Sequence, residues 1–264
     1  MWKRILASLK GGGLSQQAFD EAILMLQASH SMHQDAVAAL HEKGILVADI
    51  YERDRQLNKY ERSVRRKILT HFSISPKPDI NLGLVLTAIV IDIERIGDYT
   101  KNIVELAVTL PEAFHGGELH DEIRSLEVTV DAMFGDIIPA LKGSDVELAR
   151  KILRDHKNVS GRVERGLQLL RSDQVLQGQS GRAVTAALYL RYLKRVSAHL
   201  KNVATSVLNP YYRIGYKEKG SNDEGDTGSM SGNTGEREGD EDPLLEEEEL
   251  MENGDLLRGE EPRA

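Results

Sequence analysis

Apolar residues recur along this chain at alternating steps of three and four, which is the spacing of a helix with one buried face. The longest such stretch runs from residue 82 to residue 110 and contains no proline. Its inward positions are Leu86, Ile89, Ile93, Ile96, Ile103, Ala107 and Leu110. The pattern predicts a long amphipathic helix that ends at Pro111, because proline cannot continue a helix.

Five more segments show the same period. It predicts helices over about residues 15–40, 46–71, 119–141 and 145–170, and a last helix between the loop at 177–181 and Pro210. Pro76 and Pro78 separate the second helix from the third, and Gly116 and Gly117 separate the third from the fourth. No segment alternates with the period of two that marks a strand. The predicted fold class is therefore all-α.

The apolar spacing of the third helix is repeated 100 residues later. The matching positions are Ile93, Ile96, Ile103 and Ala107 in the first copy and Leu193, Val196, Val203 and Val207 in the second. A period of this length indicates a duplicated three-helix unit rather than a short solenoid repeat. We predict a tandem pair of three-helix bundles, over residues 15–112 and 118–210, after a short amphipathic lead-in at residues 1–14.

Charge is distributed unevenly along the chain. Residues 217–264 hold 17 acidic and 5 basic residues, a net charge of −12, whereas residues 1–216 hold 25 acidic and 29 basic residues, a net charge of +4. A segment so acidic and so poor in apolar residues cannot bury enough surface to offset its ordering entropy. The sequence therefore predicts a disordered acidic tail at 217–264.

Composition excludes several classes of function. The chain has no cysteine, so it has no disulfide, thiolate ligand or cysteine nucleophile, and this composition suits a reducing cytoplasm. The basic residues of the body are not interleaved with aromatic residues, which argues against nucleic-acid binding. We expect a cytoplasmic protein, with a homodimer among the assemblies that the sequence allows.

Four carboxylates in the first half are the candidate site. Asp54 and Glu61 occupy positions of the second helix where its apolar seam predicts Val, Ile or Leu. Glu94 and Asp98 stand one turn apart on the third helix and can face the same space. Burying unpaired carboxylates between helices is costly, so a cation must neutralise them. An oxygen-rich set without cysteine suits divalent or trivalent ions such as Mg, Ca, Mn, Fe or carboxylate-bound Zn.

Two alternatives remain open from the spacing alone. Arginines close in sequence can pair with the same acids, which would make the chain a structural adapter, or the acids can form a solvated polar face. The arginines are Arg62, Arg65, Arg66 and Arg95. In the second half the equivalent positions are Lys194 and Ala198, with His156 and Val163 on the fifth helix. A second acidic site is therefore not expected, and His156 and His199 remain there as unpaired candidates, although lone histidines of this kind are more often part of the core than ligands.

Enzymatic hypotheses have weaker support. Di-iron carboxylate bundles need two Glu-x-x-His pairs on inward-facing helices, but only Glu112 and His115 have this spacing, and they lie in the connector between the halves. No Gly-rich loop of the phosphate-binding type is present. A carboxylate-bridged metalloenzyme, acting as a phosphohydrolase or in oxygen chemistry, is the alternative function.

The motifs resemble those of a known family. Residues 52–58 (ERDRQLN) and 91–103 (IDIERIGDYTKNI), within two three-helix units, are similar to the PhoU family of phosphate-uptake regulators, of the type related to sodium–phosphate cotransporters. The resemblance covers about residues 19–208.

The resemblance implies a non-enzymatic protein that binds metal clusters and restrains phosphate transport or its signalling. Its partner would be a phosphate transporter or a sensor kinase, through which it would associate peripherally with the membrane. The implied metal ligands are Glu94 and Asp98, and more loosely Asp54 and Glu61. This chain departs from the family pattern in residues 194–199 (KRVSAH) and in its acidic tail.

Overall fold

Six helices form the protein in the computed structural model, which describes residues 2–3, 9, 13–42, 48–172 and 175–218. They are α1 (Leu14–His41), α2 (Ile50–Ile74), α3 (Ile80–Thr109), α4 (His120–Gly143), α5 (Val146–Arg171) and α6 (Ser180–Leu208). Single 3₁₀ turns cover Gly117–Leu119 and Tyr211–Arg213. No strand occurs within these ranges, so the predicted all-α fold class is confirmed. No described helix is long and apolar enough to cross a bilayer.

Local sequence sets where several helices begin. The side chain of Asp79 accepts a hydrogen bond from the backbone N–H of Leu82, and Asp145 accepts from the N–H groups of Glu147 and Leu148. These bonds satisfy donors that the first turn of a helix leaves free. The predicted start of the second helix at residue 46 lies outside the described residues, and α2 begins at Ile50.

The repeated seam forms the core of both halves. Helices α1, α2 and α3 pack on one another, as do α4, α5 and α6, and the halves meet where α3 packs on α6 and α1 on α4. The matching seam positions Ile93, Ile96 and Ile103 and their counterparts Leu193, Val196 and Val203 are fully buried. Each half thus buries the inward face of its third helix against its own bundle and the other half.

The described part of the lead-in is packed into the core. Trp2 is buried beside Phe19, and its indole N–H donates to the carbonyl oxygen of Leu141 at 2.6 Å. That carbonyl lies in the last turn of α4, where helix carbonyls lack intrahelical partners. Leu9 is also buried. The rest of the lead-in and the predicted tail from residue 219 onward lie outside the described residues.

A buried histidine lies where α1 packs on α4. Neither ring nitrogen of His33 has a hydrogen-bond partner among the described residues, and the ring packs on Phe134. The pKa of His33 is lowered to about 4, mainly by burial and also by His30, while the charges of Asp131 and Glu127 oppose the shift. The folded protein therefore holds this imidazole neutral at pH values where an unfolded chain would protonate it.

This depressed pKa predicts acid sensitivity. The stabilising contribution is present above about pH 6.5, the value for an unfolded histidine, and is lost as the pH falls towards 4. At pH 5 the loss is about 2 kcal/mol. Urea unfolding at pH 7.5 and pH 5 should show a smaller pH effect in His33→Leu than in the wild type. Equal pH effects in both proteins would contradict the assignment.

Candidate metal centre

Close packing of α2 on α3 brings the candidate acids to one groove. A methyl group added at Gly97 would overlap the Cδ1 atom of Leu57, so glycine is what lets the helices approach here. Leu57, Val64 and Ile68 belong to the buried seam of α2. Asp54 and Glu61 stand three positions before Leu57 and Val64. Asp54 and Glu61 are 15% and 14% exposed, and Glu94 and Asp98 are 17% and 31% exposed. All four are therefore partly buried, as predicted from the seam.

A lysine bridges the two helices between two of these acids. The ammonium group of Lys101 lies 3.0 Å from Oδ1 of Asp98 and 3.3 Å from Oδ2 of Asp54. Burial opposes the charge on Lys101, but the hydrogen bond to Asp98 and the field of Asp54 outweigh it and raise the pKa of Lys101. The bridge is thus a fully charged ammonium held by one carboxylate from each helix.

The other two acids pair with arginines of their own helices. Arg65, on the exposed side of α2, lies 2.8 Å from Oε1 of Glu61. Within the described ranges, the one basic group that pairs with Glu94 is that of Arg95 at 3.8 Å, and the side chain of Arg95 is 57% exposed and also 3.6 Å from Asp98. Two of the four arginines considered from the sequence, Arg65 and Arg95, therefore pair with the acids.

The pKa of Glu94 reports the excess of negative charge in the groove. Burial raises this pKa above its ordinary value, Asp98 raises it further, Arg95 opposes the rise, and Glu61 and Asp54 add to it. The four carboxylates therefore lie within electrostatic range of one another, and a further cation beside Glu94 would be stabilised.

The carboxylate oxygens of the groove are suitable ligands for a metal ion, but the ammonium group of Lys101 already lies between two of these carboxylates. Its donors are all carboxylate oxygens, which hard cations prefer. Among the described residues, however, no group of three or more Asp, Glu, His or Cys side chains is placed to hold a metal ion as it stands. Lys101 occupies the space between Asp54 and Asp98, so these acids could share a metal only if the ammonium moved aside. Asn58, on the neighbouring turn, donates its amide to the backbone carbonyl of Asp54.

In the second half, the positions equivalent to the four acids are Lys194, Ala198, His156 and Val163. Lys194 pairs with Glu164 at 3.0 Å, and the Nδ1 atom of buried His156 lies 3.0 Å from the hydroxyl of Ser197. The pKa of His156 is lowered to about 3, mainly by burial, with smaller contributions from Lys201 and Lys194. His156 is therefore a core histidine whose ring is hydrogen-bonded to a hydroxyl group.

His199 is also paired, through an acid that the sequence did not single out. Its Nδ1 atom lies 2.7 Å from Oδ1 of Asp92, which also accepts from the amide of Asn202 at 2.9 Å. The ring of His199 stacks on Tyr99 with centroids 5.7 Å apart. Asp92 and Tyr99 belong to the motif of α3, so the motif joins the two halves as well as lining the groove.

A duplicated three-helix unit with a carboxylate-lined groove in its first half defines the class of protein. The PhoU domain model matches residues 22–107 and residues 123–207, one copy in each half. The chain belongs to the PhoU family.

Named relatives and solved structures agree with this assignment. The chain is 28% identical over 179 residues to a phosphate-specific transport system accessory protein PhoU homolog of Pseudomonas putida, covering 66% of this chain and 70% of the relative. A homolog of the same name from Pseudomonas aeruginosa is 28% identical over 182 residues, covering 66% and 74%.

Crystal structures of PhoU share the fold. The protein from Pseudomonas aeruginosa superimposes with a TM-score of 0.67 at 24% identity, over 73% of this chain and 94% of that one. The phosphate transport system regulatory protein PhoU from Streptococcus pneumoniae gives 0.61 at 15% identity, over 79% and 95%.

Proposed function

We propose that this protein is a non-enzymatic, cytoplasmic regulator of phosphate uptake or phosphate signalling that docks to a phosphate transporter or its sensor kinase. The observation that carries this proposal is the match of the PhoU domain to both halves of the chain. Its relatives are named as accessory proteins of a phosphate-specific transport system. A regulator of this kind acts through its outer surface and needs no catalytic constellation.

The groove between α2 and α3 is proposed to hold a metal ion through Glu94, Asp98, Asp54 and Glu61. Support comes from the raised pKa of Glu94, which its three acidic neighbours help to cause. A bound cation would neutralise this excess charge and fix α2 against α3. The helices would then present a constant docking face to the partner.

Metal analysis tests the proposed ligands. Replacing Glu94 and Asp98 together with alanine should remove any metal that purifies with the protein and weaken Mn²⁺ binding by at least about a hundredfold, because two of four donors are lost. Elemental analysis and calorimetric titration measure both effects. Glu147→Ala/Glu164→Ala, which removes two exposed acids of α5, is the matched control and should bind metal as the wild type does.

The ion pairs of the groove favour a second candidate, a structural adapter without metal. In that case Lys101, Arg65 and Arg95 alone hold the acids in place. Metal-free wild-type protein with no measurable affinity for Mn²⁺, Fe²⁺ or Zn²⁺ would support the adapter. Affinity capture of a phosphate transporter or a sensor kinase from cells would support the regulator, whether the groove holds a metal ion or only ion pairs. If neither protein is captured, the result would contradict the regulator.

A further inference from the structure

The positive charge of the protein body is concentrated in one segment. Residues 55–77 contain seven Lys or Arg residues and one acidic residue, a net charge of +6. The rest of residues 1–216 contains 22 basic and 24 acidic residues, a net charge of −2. The excess positive charge of the body therefore comes entirely from α2 and the turn that follows it.

Four of these residues form a row on the outer face of α2. Arg55, Lys59, Arg62 and Arg66 follow one another at steps of four, three and four, and all four are exposed. This row, the basic stripe, lies on the side of the helix opposite its buried seam. Glu52 pairs with Arg55 and approaches Lys59 at the start of the stripe.

The far end of the stripe is not neutralised by acids. The Nε atom of Arg62 donates to the backbone carbonyl of Asn58. Neither Arg62 nor Arg66 forms an ion pair with a carboxylate in the described part of the chain. Both guanidinium groups can therefore bind an external anion without breaking an internal ion pair.

Exposed aliphatic side chains follow directly after the stripe. Leu69 and Ile74 are 67% and 69% exposed, and Ile80, at the start of α3, is 58% exposed. The turn between the helices also exposes Pro76 and Lys77. These residues, 69–80, form the hairpin tip, an end of the bundle where apolar side chains project beside basic ones.

We propose that the basic stripe and the hairpin tip bind the surface of an anionic phospholipid bilayer. Basic side chains beside a membrane gain free energy from anionic headgroups, and adjacent aliphatic side chains gain it by entering the acyl boundary. The aliphatic residues of the tip are separated by polar ones and are exposed around the turn between two helices. A bilayer accommodates such isolated side chains, whereas a protein partner would need a matching pocket for each.

The rest of the chain is consistent with surface contact. No described helix is able to span a bilayer. Trp2 and Leu9 of the lead-in are buried in the core, so these apolar residues are not available for membrane contact. Exposed apolar residues follow directly after the concentrated positive charge, in the hairpin tip. Direct lipid binding through α2 would orient the protein at the membrane independently of any protein partner.

Vesicle sedimentation tests the proposal with the full-length protein. We expect binding to vesicles of phosphatidylglycerol mixed with phosphatidylcholine, and at least about tenfold weaker binding to pure phosphatidylcholine, at about 0.1 M salt. Binding should weaken as salt is raised. Failure to bind the anionic vesicles would overturn the proposal and would leave an acidic protein as the partner of the stripe.

Two pairs of variants locate the surface. Arg62→Glu/Arg66→Glu should reduce binding to the anionic vesicles at least about tenfold, whereas Arg154→Glu/Arg165→Glu, the same charge change on exposed positions of α5, should not. Leu69→Gln/Ile74→Gln should reduce binding several-fold, and Val128→Gln/Val184→Gln, at equally exposed positions of α4 and α6, should leave it unchanged. Circular dichroism verifies that each variant is folded. Equal losses in the test and control variants would overturn the assignment of the surface to α2.

Discussion

Replacing Glu127 with alanine should lower the free energy of unfolding by about 3–5 kcal/mol, the largest effect expected of any single polar side chain here. Glu127 lies on α4 and is buried. Its Oε1 atom accepts from the Nε2 atom of His41 on α1 and from the hydroxyl of Tyr189 on α6, each at 2.6 Å, and its Oε2 atom accepts from Arg124 at 2.7 Å. One carboxylate thus links three helices from both halves.

The cost arises from what the substitution leaves behind. Tyr189 is fully buried, and burial together with the charge of Glu127 raises its pKa well above the ordinary value, so its hydroxyl is a neutral donor. Without Glu127 this hydroxyl and the ring of His41 are buried without their acceptor, and a cavity remains. Tyr189→Phe, which removes only one hydrogen bond, should cost about 1–2 kcal/mol.

Denaturant unfolding of the two single variants and the double variant measures this network. Glu147→Ala is the control, because Glu147 forms an exposed ion pair with Arg150 on α5, and such pairs contribute about 0–1 kcal/mol. The double-mutant cycle should give a coupling between Glu127 and Tyr189 of about 1 kcal/mol or more. A loss below 1 kcal/mol in Glu127→Ala would show that the network does not hold the halves together.

Periodicity predicted the helices and the inward face of each one. The isoleucine seam of α3 and its repeat in α6 are buried as expected, because a period of 3.6 determines which side chains share a face. The same logic placed Asp54 and Glu61 in the seam of α2, where the structure finds them partly buried. Their role as metal ligands stays a prediction.

Contacts between distant helices could not be predicted in the same way. Asp92 meets His199 across 107 positions of sequence, and Glu127 meets His41 across 86. Periodicity shows which face of a helix is buried but not which other helix covers it. The histidines therefore looked unpaired in sequence although their partners lie on other helices.

The contact of Lys101 with Asp98 was also not predicted, although both residues lie on the same helix and their spacing in sequence indicates it. Lys101 follows Asp98 by three positions, a spacing at which side chains on a helix are neighbours. The partners predicted for the acids were arginines, although Lys101 is as close in sequence. Whether a lysine at that spacing turns towards the groove or towards solvent depends on the approach of α2, which Gly97 and Leu57 set.

Replacing Lys101 with methionine should raise the affinity of the groove for Mn²⁺ by about tenfold to a hundredfold. The ammonium lies between Asp54 and Asp98 and repels any cation that would share these carboxylates. Two unit charges about 4 Å apart near a protein surface interact by about 4 kcal/mol, and partial exposure of the groove reduces this value. Methionine keeps the length of the side chain and its packing while removing the charge.

The same substitution should destabilise the metal-free protein by about 1–2 kcal/mol, because two partly buried carboxylates lose their shared cation. Saturating Mn²⁺ should then recover the loss, since a ligand that binds the folded state stabilises it. Lys101→Met therefore separates the two roles of the groove. A metal site gains affinity when its internal competitor is removed, whereas an ion-paired adapter only loses stability.

The second half supplies a matched control for this test. Lys151 bridges Asp136 of α4 and Asp155 of α5 at 2.6 and 3.0 Å, so this lysine, like Lys101, lies between one carboxylate from each of two helices. Lys151→Met should lose similar or less stability and gain little affinity for Mn²⁺, because two carboxylates alone make a weak site. Calorimetric titration of both variants measures the difference. If Lys101→Met binds Mn²⁺ no better than the wild type, Lys101 is the permanent occupant of the groove and the four acids serve only to hold α2 on α3.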